Sequence, residues 1–325
     1  MQVSAGKIVV LGTGGTIAGK AGTAGDNIGY VAGQVGVQDL LDAVPGLAQA
    51  AQGPLEVEQV AQIDSKNMEF AVWAALARRC RAHLEDDGVR AIVVTHGTDT
   101  LEETAWFLHS VLDARKPVVL TCAMRPATAI APDGPQNLLD ALAVANASGA
   151  RGALSVCAGA VHGARQVQKV HPYRVDAFSS GEGGPLGWVE EGRVRLAQDW
   201  SQAHVGWAQA ALEKITSDVA WPRVEIVMNY AGASGSTVDA LVRDGVQGLV
   251  VAATGNGTLH HALQTALERA QQAGVAVRVT TRCPLGQVLA PPGVVAALPL
   301  AAGLAPVKAR VSLMLELLGA KAPTP

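Results

Sequence analysis

Aromatic side chains make up only 4% of this 325-residue chain, and charged ones only 16%. The first shortage leaves the core to Ala, Val, Leu and Ile, the usual filling of a parallel sheet covered on both faces. The second, with a formal net charge of -3, removes the electrostatic case for a nucleic-acid partner. Long membrane-competent runs are missing as well. Residues 283–307 carry no charge but include Pro284, Pro291, Pro292, Pro299 and Pro306, and prolines at that density break a spanning helix. The opening MQVSAGKIVVLGTGG has an apolar run of only about five residues, short for a secretory segment. The expectation is a soluble cytoplasmic protein with no membrane partner.

Several chemical signatures are also absent. The four cysteines (Cys80, Cys122, Cys157, Cys283) form no C-x-x-C, so each reads as a buried apolar thiol. The eight histidines contain no H-E-x-x-H, which argues against a metal site. No G-x-S-x-G elbow occurs. In Gly12-Thr13-Gly14-Gly15-Thr16-Ile17 the third glycine of a dinucleotide fingerprint is replaced by Ile17, and no Walker lysine follows;.

What the chain has in plenty is apolar residues, at 49%, and glycine, with 36. That content excludes general disorder. Strand-like runs are KIVVL at 7–11, LEVEQVAQI at 55–63, AIVVT at 91–95, PVVLTCA at 117–123 and ALSVCA at 153–158. Helical spacing falls between them at 37–44, 68–84, 101–112 and 136–147. A hairpin is expected at 184–196, and the rhythm restarts with strands near 224–230, 248–254 and 275–281 and helices at 237–243, 259–272 and 307–319. The alternation predicts a two-domain α/β protein: a larger N-terminal, mostly parallel sheet flanked by helices, and a smaller C-terminal α/β domain. The expected boundaries are 1–197 for the first domain, 198–221 for a linker and 222–325 for the second.

Ligands of open α/β sheets bind beyond the carboxyl ends of the strands, so the polar turns there hold the candidate chemistry. Thr16 is the exposed hydroxyl of the first turn. The second, Thr95-His96-Gly97-Thr98-Asp99-Thr100, is denser. Thr100 with Glu103 fits a capping box, and His96 reads as a packed, hydrogen-bonded residue. Thr98 and Asp99 remain, a hydroxyl and a carboxylate beside a helix N-terminus whose N–H groups can hold an oxyanion.

The residues TGGTIAG (13–19), DSKNM (64–68), HGTDTLEETAWFL (96–108), KPVVLTCAMRP (116–126) and DGPQNL (133–138) closely resemble the bacterial-type L-asparaginase and glutaminase-asparaginase family. ARQVQK (164–169), GPLGW (184–188), VMNYAGAS (227–234) and TGNGT (254–258) extend the resemblance over nearly the whole chain. It implies a threonine amidohydrolase that converts L-asparagine to L-aspartate and ammonia through an acyl-enzyme. Thr16 then matches the nucleophile and Tyr30 the lid tyrosine that activates it. Thr98, Asp99 and Lys169 match a second hydroxyl, carboxylate and lysine set. Ser65 matches the residue that holds the substrate α-carboxylate, and Asp99 also receives the α-ammonium. Ala123 falls where the family offers a carbonyl to the amide nitrogen, and Asn256 where a neighbouring subunit contributes an asparagine.

Departures lie at the ammonium end of the pocket. Asp64-Ser65-Lys66 stands where many secreted members have Gly-Ser-Gln, with Lys66 expected to point to the substrate carboxylate or to Asp64. No acidic residue matches the glutamate that neighbouring subunits supply in secreted members, Glu316 being too far along the chain. The resemblance further implies no metal or cofactor, a small-molecule substrate, and a homotetramer built as a dimer of dimers. Three alternatives stand beside the asparaginase reading: a mixed asparaginase-glutaminase, the amidase subunit of an amidotransferase, and a catalytically inactive amino-acid-binding paralogue.

Overall fold

The computed structural model describes residues 6–23, 25–200, 209–215, 220–290 and 296–319. The chain forms two compact units, Met1–Gly206 and Trp207–Pro325. In the first, β1 (Lys7–Gly14) is followed by a short ladder of β2 (Lys20–Ala21) with β3 (Tyr30–Val31). Then come α1 (Val37–Asp42), α2 (Leu47–Ala51), β4 (Leu55–Ile63), α3 (Phe70–Glu85), β5 (Val89–Thr95) and α4 (Leu101–Val111). β6 (Pro117–Thr121), α5 (Gly134–Ala145), β7 (Gly152–Cys157) and β8 (Ala160–Gly163) continue the series. The ladder of β9 (Gln168–Lys169) with β10 (Phe178–Ser179) and the hairpin of β11 (Gly187–Glu190) with β12 (Arg193–Leu196) complete it.

The main sheet has eight strands in the order β12-β11-β8-β7-β6-β5-β1-β4. From β4 to β7 neighbours run parallel, whereas β8, β11 and β12 are added antiparallel. The inner strands are apolar on both sides. Ile8, Val10, Ala91, Val93, Val119 and Leu154 pack into one cluster with Leu40, Leu41, Leu138 and Leu142 of α1 and α5. Trp73 of α3 stacks on Phe107 of α4, with centroids 4.8 Å apart. Full burial of each such leucine or valine stabilises the fold by about 1.5–3 kcal/mol. The hairpin expected at 184–196 forms through Glu191-Gly192, both at positive φ, as a two-residue turn requires.

The second unit holds α6 (Gln209–Ile215), β13 (Val224–Met228), α7 (Ser236–Arg243), β14 (Gly248–Ala253), α8 (His261–Gln272), β15 (Ala276–Thr281) and α9 (Pro306–Gly319). Its three strands form a parallel sheet in the order β13-β14-β15. Leu249, Val251 and Val277 share a core with Val238 of α7 and Leu263, Ala266 and Leu267 of α8. The linker expected at 198–221 lies partly outside the described residues, and within it Gln209–Ile215 is the helix α6, which packs on α9. Among the described residues no helix is long and apolar enough to cross a membrane.

Candidate active site

Strand order fixes where the two threonine turns meet. β1 lies between β4 and β5. The chain leaving β1 goes to β4 on one side, and the chain leaving β5 goes to β6 on the other. Adjacent parallel strands whose connections diverge leave a crevice at their carboxyl ends. The turns carrying Thr16 and Thr98 follow those two strands, so topology alone sets them side by side. Their approach is close: a Cβ built on Gly15 would overlap the Gly97 Cα, and one on Gly97 would lie 2.5 Å from Ser65 Oγ. Only glycine fits where three turns are packed this tightly.

On one side of the crevice, Thr16 begins a short 3-10 turn and, against the expectation of an exposed hydroxyl, is buried at 6% exposure because the turn is packed into the crevice. Its Oγ1 lies 2.7 Å from the Tyr30 hydroxyl. Tyr30 arrives on β3, whose pairing with β2 spans only two residues on each strand. Upstream, Asp26 Oδ1 accepts the N–H groups of Ile28 and Gly29, both at 2.8 Å. The Gly29 and Ile28 amides hold the Asp26 carboxyl below its ordinary value. Ala21 N donates to Thr128 Oγ1 at 2.9 Å, tying the segment to the loop after β6.

On the other side, Thr98 is 5% exposed. Lys169, brought in by the β9–β10 ladder, donates from Nζ to Thr98 Oγ1 at 2.8 Å and to Asp99 Oδ1 at 2.5 Å. Asp99 N donates to Ser65 Oγ at 3.2 Å. The Thr100 half of the expected capping box with Glu103 does not form: Thr100 sits at the N-cap of α4, but its hydroxyl makes no cap bond. It donates instead to the Ser65 carbonyl at 2.9 Å, because the Ser65 turn is pressed against this one. The expected helix cap thus pins the Ser65 turn. Lys66 turns to Asp64, with Nζ 3.0 Å from Oδ2. That contact raises the Lys66 pKa above its ordinary value.

His96 is wholly buried, its Nδ1 2.7 Å from the Gly97 carbonyl oxygen. Burial pushes its pKa down to about 4, so it is neutral near pH 7 and packs as expected. Ala123 follows β6 and is 1% exposed. Cys80, Cys122 and Cys157 are buried as expected, whereas Cys283 is exposed on the loop after β15. Cys122 and Cys157 are moreover neighbours at the ends of β6 and β7, their sulfurs 2.9 Å apart. Sequence spacing hides this proximity, since it arises from strand register. Burial raises the Cys122 thiol pKa well above the usual value.

Comparison with known proteins identifies the family of the chain. The family model "Asparaginase, N-terminal" matches residues 7–202, and "Glutaminase/Asparaginase C-terminal domain" matches residues 223–323. The chain belongs to the asparaginase family. It is 39% identical over 281 residues to L-asparaginase 2 of Escherichia coli, covering 86% of this chain and 78% of that one. L-asparaginase 2 of Bacillus subtilis is 37% identical over 314 residues, 95% of this chain and 82% of that one. The glutaminase-asparaginase of Pseudomonas fluorescens biotype A is 37% identical, covering 83% of this chain and 74% of its own. Among solved structures, a probable cytoplasmic L-asparaginase from Campylobacter jejuni superposes with a TM-score of 0.88 at 38% identity. That match covers 96% of this chain and 95% of the other.

Thr16, Tyr30, Asp64, Ser65, Lys66, Thr98, Asp99, Ala123 and Lys169 all belong to the first unit. Asn256 belongs to the second, on the turn after β14. Both ends of its amide are engaged with Leu289, donating to the carbonyl at 3.0 Å and accepting from the N–H at 2.7 Å. Glu316, set aside by its sequence position, pairs with Arg278 at 2.6 Å. Among the described residues no cluster of three or more His, Cys, Asp or Glu is arranged to hold a metal ion.

Proposed function

We propose that this asparaginase-family protein hydrolyses L-asparagine to L-aspartate and ammonia through an acyl-enzyme on Thr16. The observation that carries the reading is the pair of touching turns, one presenting Thr16 to the Tyr30 phenol and the other presenting Thr98 to Lys169 and Asp99. A threonine hydroxyl is a weak nucleophile and an amide a poor electrophile, so each needs help. In the first step the Thr16 oxygen attacks the side-chain carbonyl carbon as its proton leaves by way of the Tyr30 oxygen. That proton is passed on to the amide nitrogen, the carbon–nitrogen bond breaks and ammonia departs. Water next attacks the ester, restoring the Thr16 hydroxyl and releasing aspartate. Thr98, held by Lys169 Nζ at 2.8 Å, is placed to take part in proton transfer to and from the reacting groups;. Backbone N–H groups beside Thr98 hold the oxyanion, an effect worth about 3 kcal/mol per donor.

In this reading Ser65 takes the substrate α-carboxylate, Asp99 the α-ammonium and the Ala123 carbonyl the amide nitrogen. Lys66 is drawn away from the ammonium by Asp64. No cofactor is required. Asn256 is contributed by a neighbouring subunit of a homotetramer, a dimer of dimers in the cytoplasm. Ile226 and Met228 on edge strand β13, with Tyr230 just beyond its end, are exposed large apolar side chains and support such assembly, since exposed apolar surface marks contact sites;. Relatives named glutaminase-asparaginase favour L-glutamine as a second substrate. The test is ammonia release from L-asparagine, L-glutamine and their D-enantiomers. Fastest release from L-asparagine is expected, and no release from any of the four would contradict an amidohydrolase.

A further inference from the structure

Ala123 is held by its neighbours in an unusual way. Asp133 occupies the N-cap position of α5, where a carboxylate normally accepts an N–H of its own helix. Here it makes no such bond. Its two oxygens reach back across the loop instead: Oδ2 accepts Met124 N and Oδ1 accepts Arg125 N, both at 2.9 Å. Asn137, one turn further along α5 and 2% exposed, completes the grip. Its Nδ2 donates to the Cys122 carbonyl at 2.9 Å and to Asp133 Oδ2 at 3.3 Å, while its Oδ1 accepts Ala158 N at 2.9 Å.

The peptide groups on both sides of Ala123 are therefore fixed by two side chains of one helix. Among the described residues no donor reaches the Ala123 carbonyl itself. The same helix start also touches the nucleophile's turn. A Cβ on Gly134 would lie 2.9 Å from Ile17 Cγ1 and 3.5 Å from Ala123 Cβ. The first turn of α5 is a spacer between the Thr16 turn and Ala123, packed against Ile17 and the Ala123 side chain.

We infer that Asp133 and Asn137 are positioning residues that aim the Ala123 carbonyl at the leaving nitrogen of the amide. This rests on the amidohydrolase reading and on the contact that reading gives Ala123. Neither side chain touches the substrate; both act through the Cys122–Arg125 backbone. A merely structural clamp would weaken every reaction of the enzyme alike. A clamp that aims one carbonyl at one N–H matters only when the leaving group has an N–H to offer.

L-Asparagine and the β-methyl ester of L-aspartate separate these cases. Both give the same aspartyl-enzyme and the same hydrolysis step, but one releases ammonia and the other methanol. Because displacing a reacting group by about 1 Å costs on the order of a hundred-fold, Asp133→Ala should lower kcat on asparagine by roughly that factor. On the ester, kcat should fall by less than about three-fold, and KM for both should stay within a similar range. Asp133→Asn keeps one oxygen for one backbone N–H, so an intermediate loss with the same amide selectivity is expected. If Asp133→Ala does not fold, the amide-to-ester ratio of Asp133→Asn decides alone. Equal losses on both compounds, or no loss on asparagine, overturn the inference. A wild type that turns over neither compound overturns the amidohydrolase reading, and this inference with it.

Discussion

The two threonines at the head of the main sheet sit in contrasting surroundings. Thr16 faces a neutral phenol carried by a ladder only two residues long, in a segment whose Ile28 is 81% exposed. Thr98 faces an ammonium and a carboxylate, on a turn locked between Gly15, Ser65 and the first turn of α4. The contrast assigns different demands to the two sides. A charged set works by holding its charges at fixed distances, so its backbone is over-determined. A neutral set beside a lightly attached segment can admit a substrate and then cover the nucleophile.

The largest effect is expected from breaking the charged side. Lys169→Met removes the only cation that touches Thr98 among the described residues and leaves Asp99 half-exposed, where water can solvate it. Turnover of L-asparagine should fall by about a thousand-fold, the scale of a lost proton-transfer group, with little change in melting temperature. A variant of near-normal turnover would reduce the second set to scaffolding.

A smaller loss tests the locked turn without touching its charges. In Gly97→Ala the new methyl meets Ser65 Oγ at 2.5 Å and the Gly15 Cα at 3.1 Å, so one turn must shift. A cost of about 1–3 kcal/mol in urea unfolding is expected. Activity should drop by roughly a hundred-fold from the displaced hydroxyls. Unchanged kinetics would mean that the two turns tolerate separation.

The smallest effect concerns the buried histidine beneath that turn. His96 has its pKa pushed from 6.5 to about 4 by burial. Between those values the unfolded chain binds a proton that the folded chain does not, so stability declines as pH falls through 6.5 toward 4. The contribution lost between pH 7 and pH 5 is about 2 kcal/mol. His96→Asn keeps a donor toward the Gly97 carbonyl and should flatten that part of the stability profile. An equally steep profile in the variant would assign the slope to other groups.

Much of this arrangement was legible in the residues. Strands such as KIVVL and AIVVT announce themselves by apolar content, and the glycine-threonine turns follow them directly. Other parts were not legible, for physical reasons. The β9–β10 ladder that delivers Lys169 is too short for any period to register. Thr100 looked like a cap because capping is a local signal; its true partner, Ser65, is 35 residues away in sequence. Cys122 and Cys157 are matched by strand register. Asp133 and Asn137 appeared only inside the DGPQNL stretch with no role attached, since their contacts lie on a neighbouring loop and strand end.

The central claim is that the two threonine sets act as one machine on one substrate. Steady-state turnover of L-asparagine by Thr16→Ala, Thr98→Val and the double variant tests it most directly. Groups that serve a single step lose their effect together, so the double variant should be no slower than the slower single one. Each single variant should retain on the order of a thousandth of wild-type activity or less. Losses that multiply in the double variant, or a Thr16→Ala protein of wild-type rate, would contradict the account.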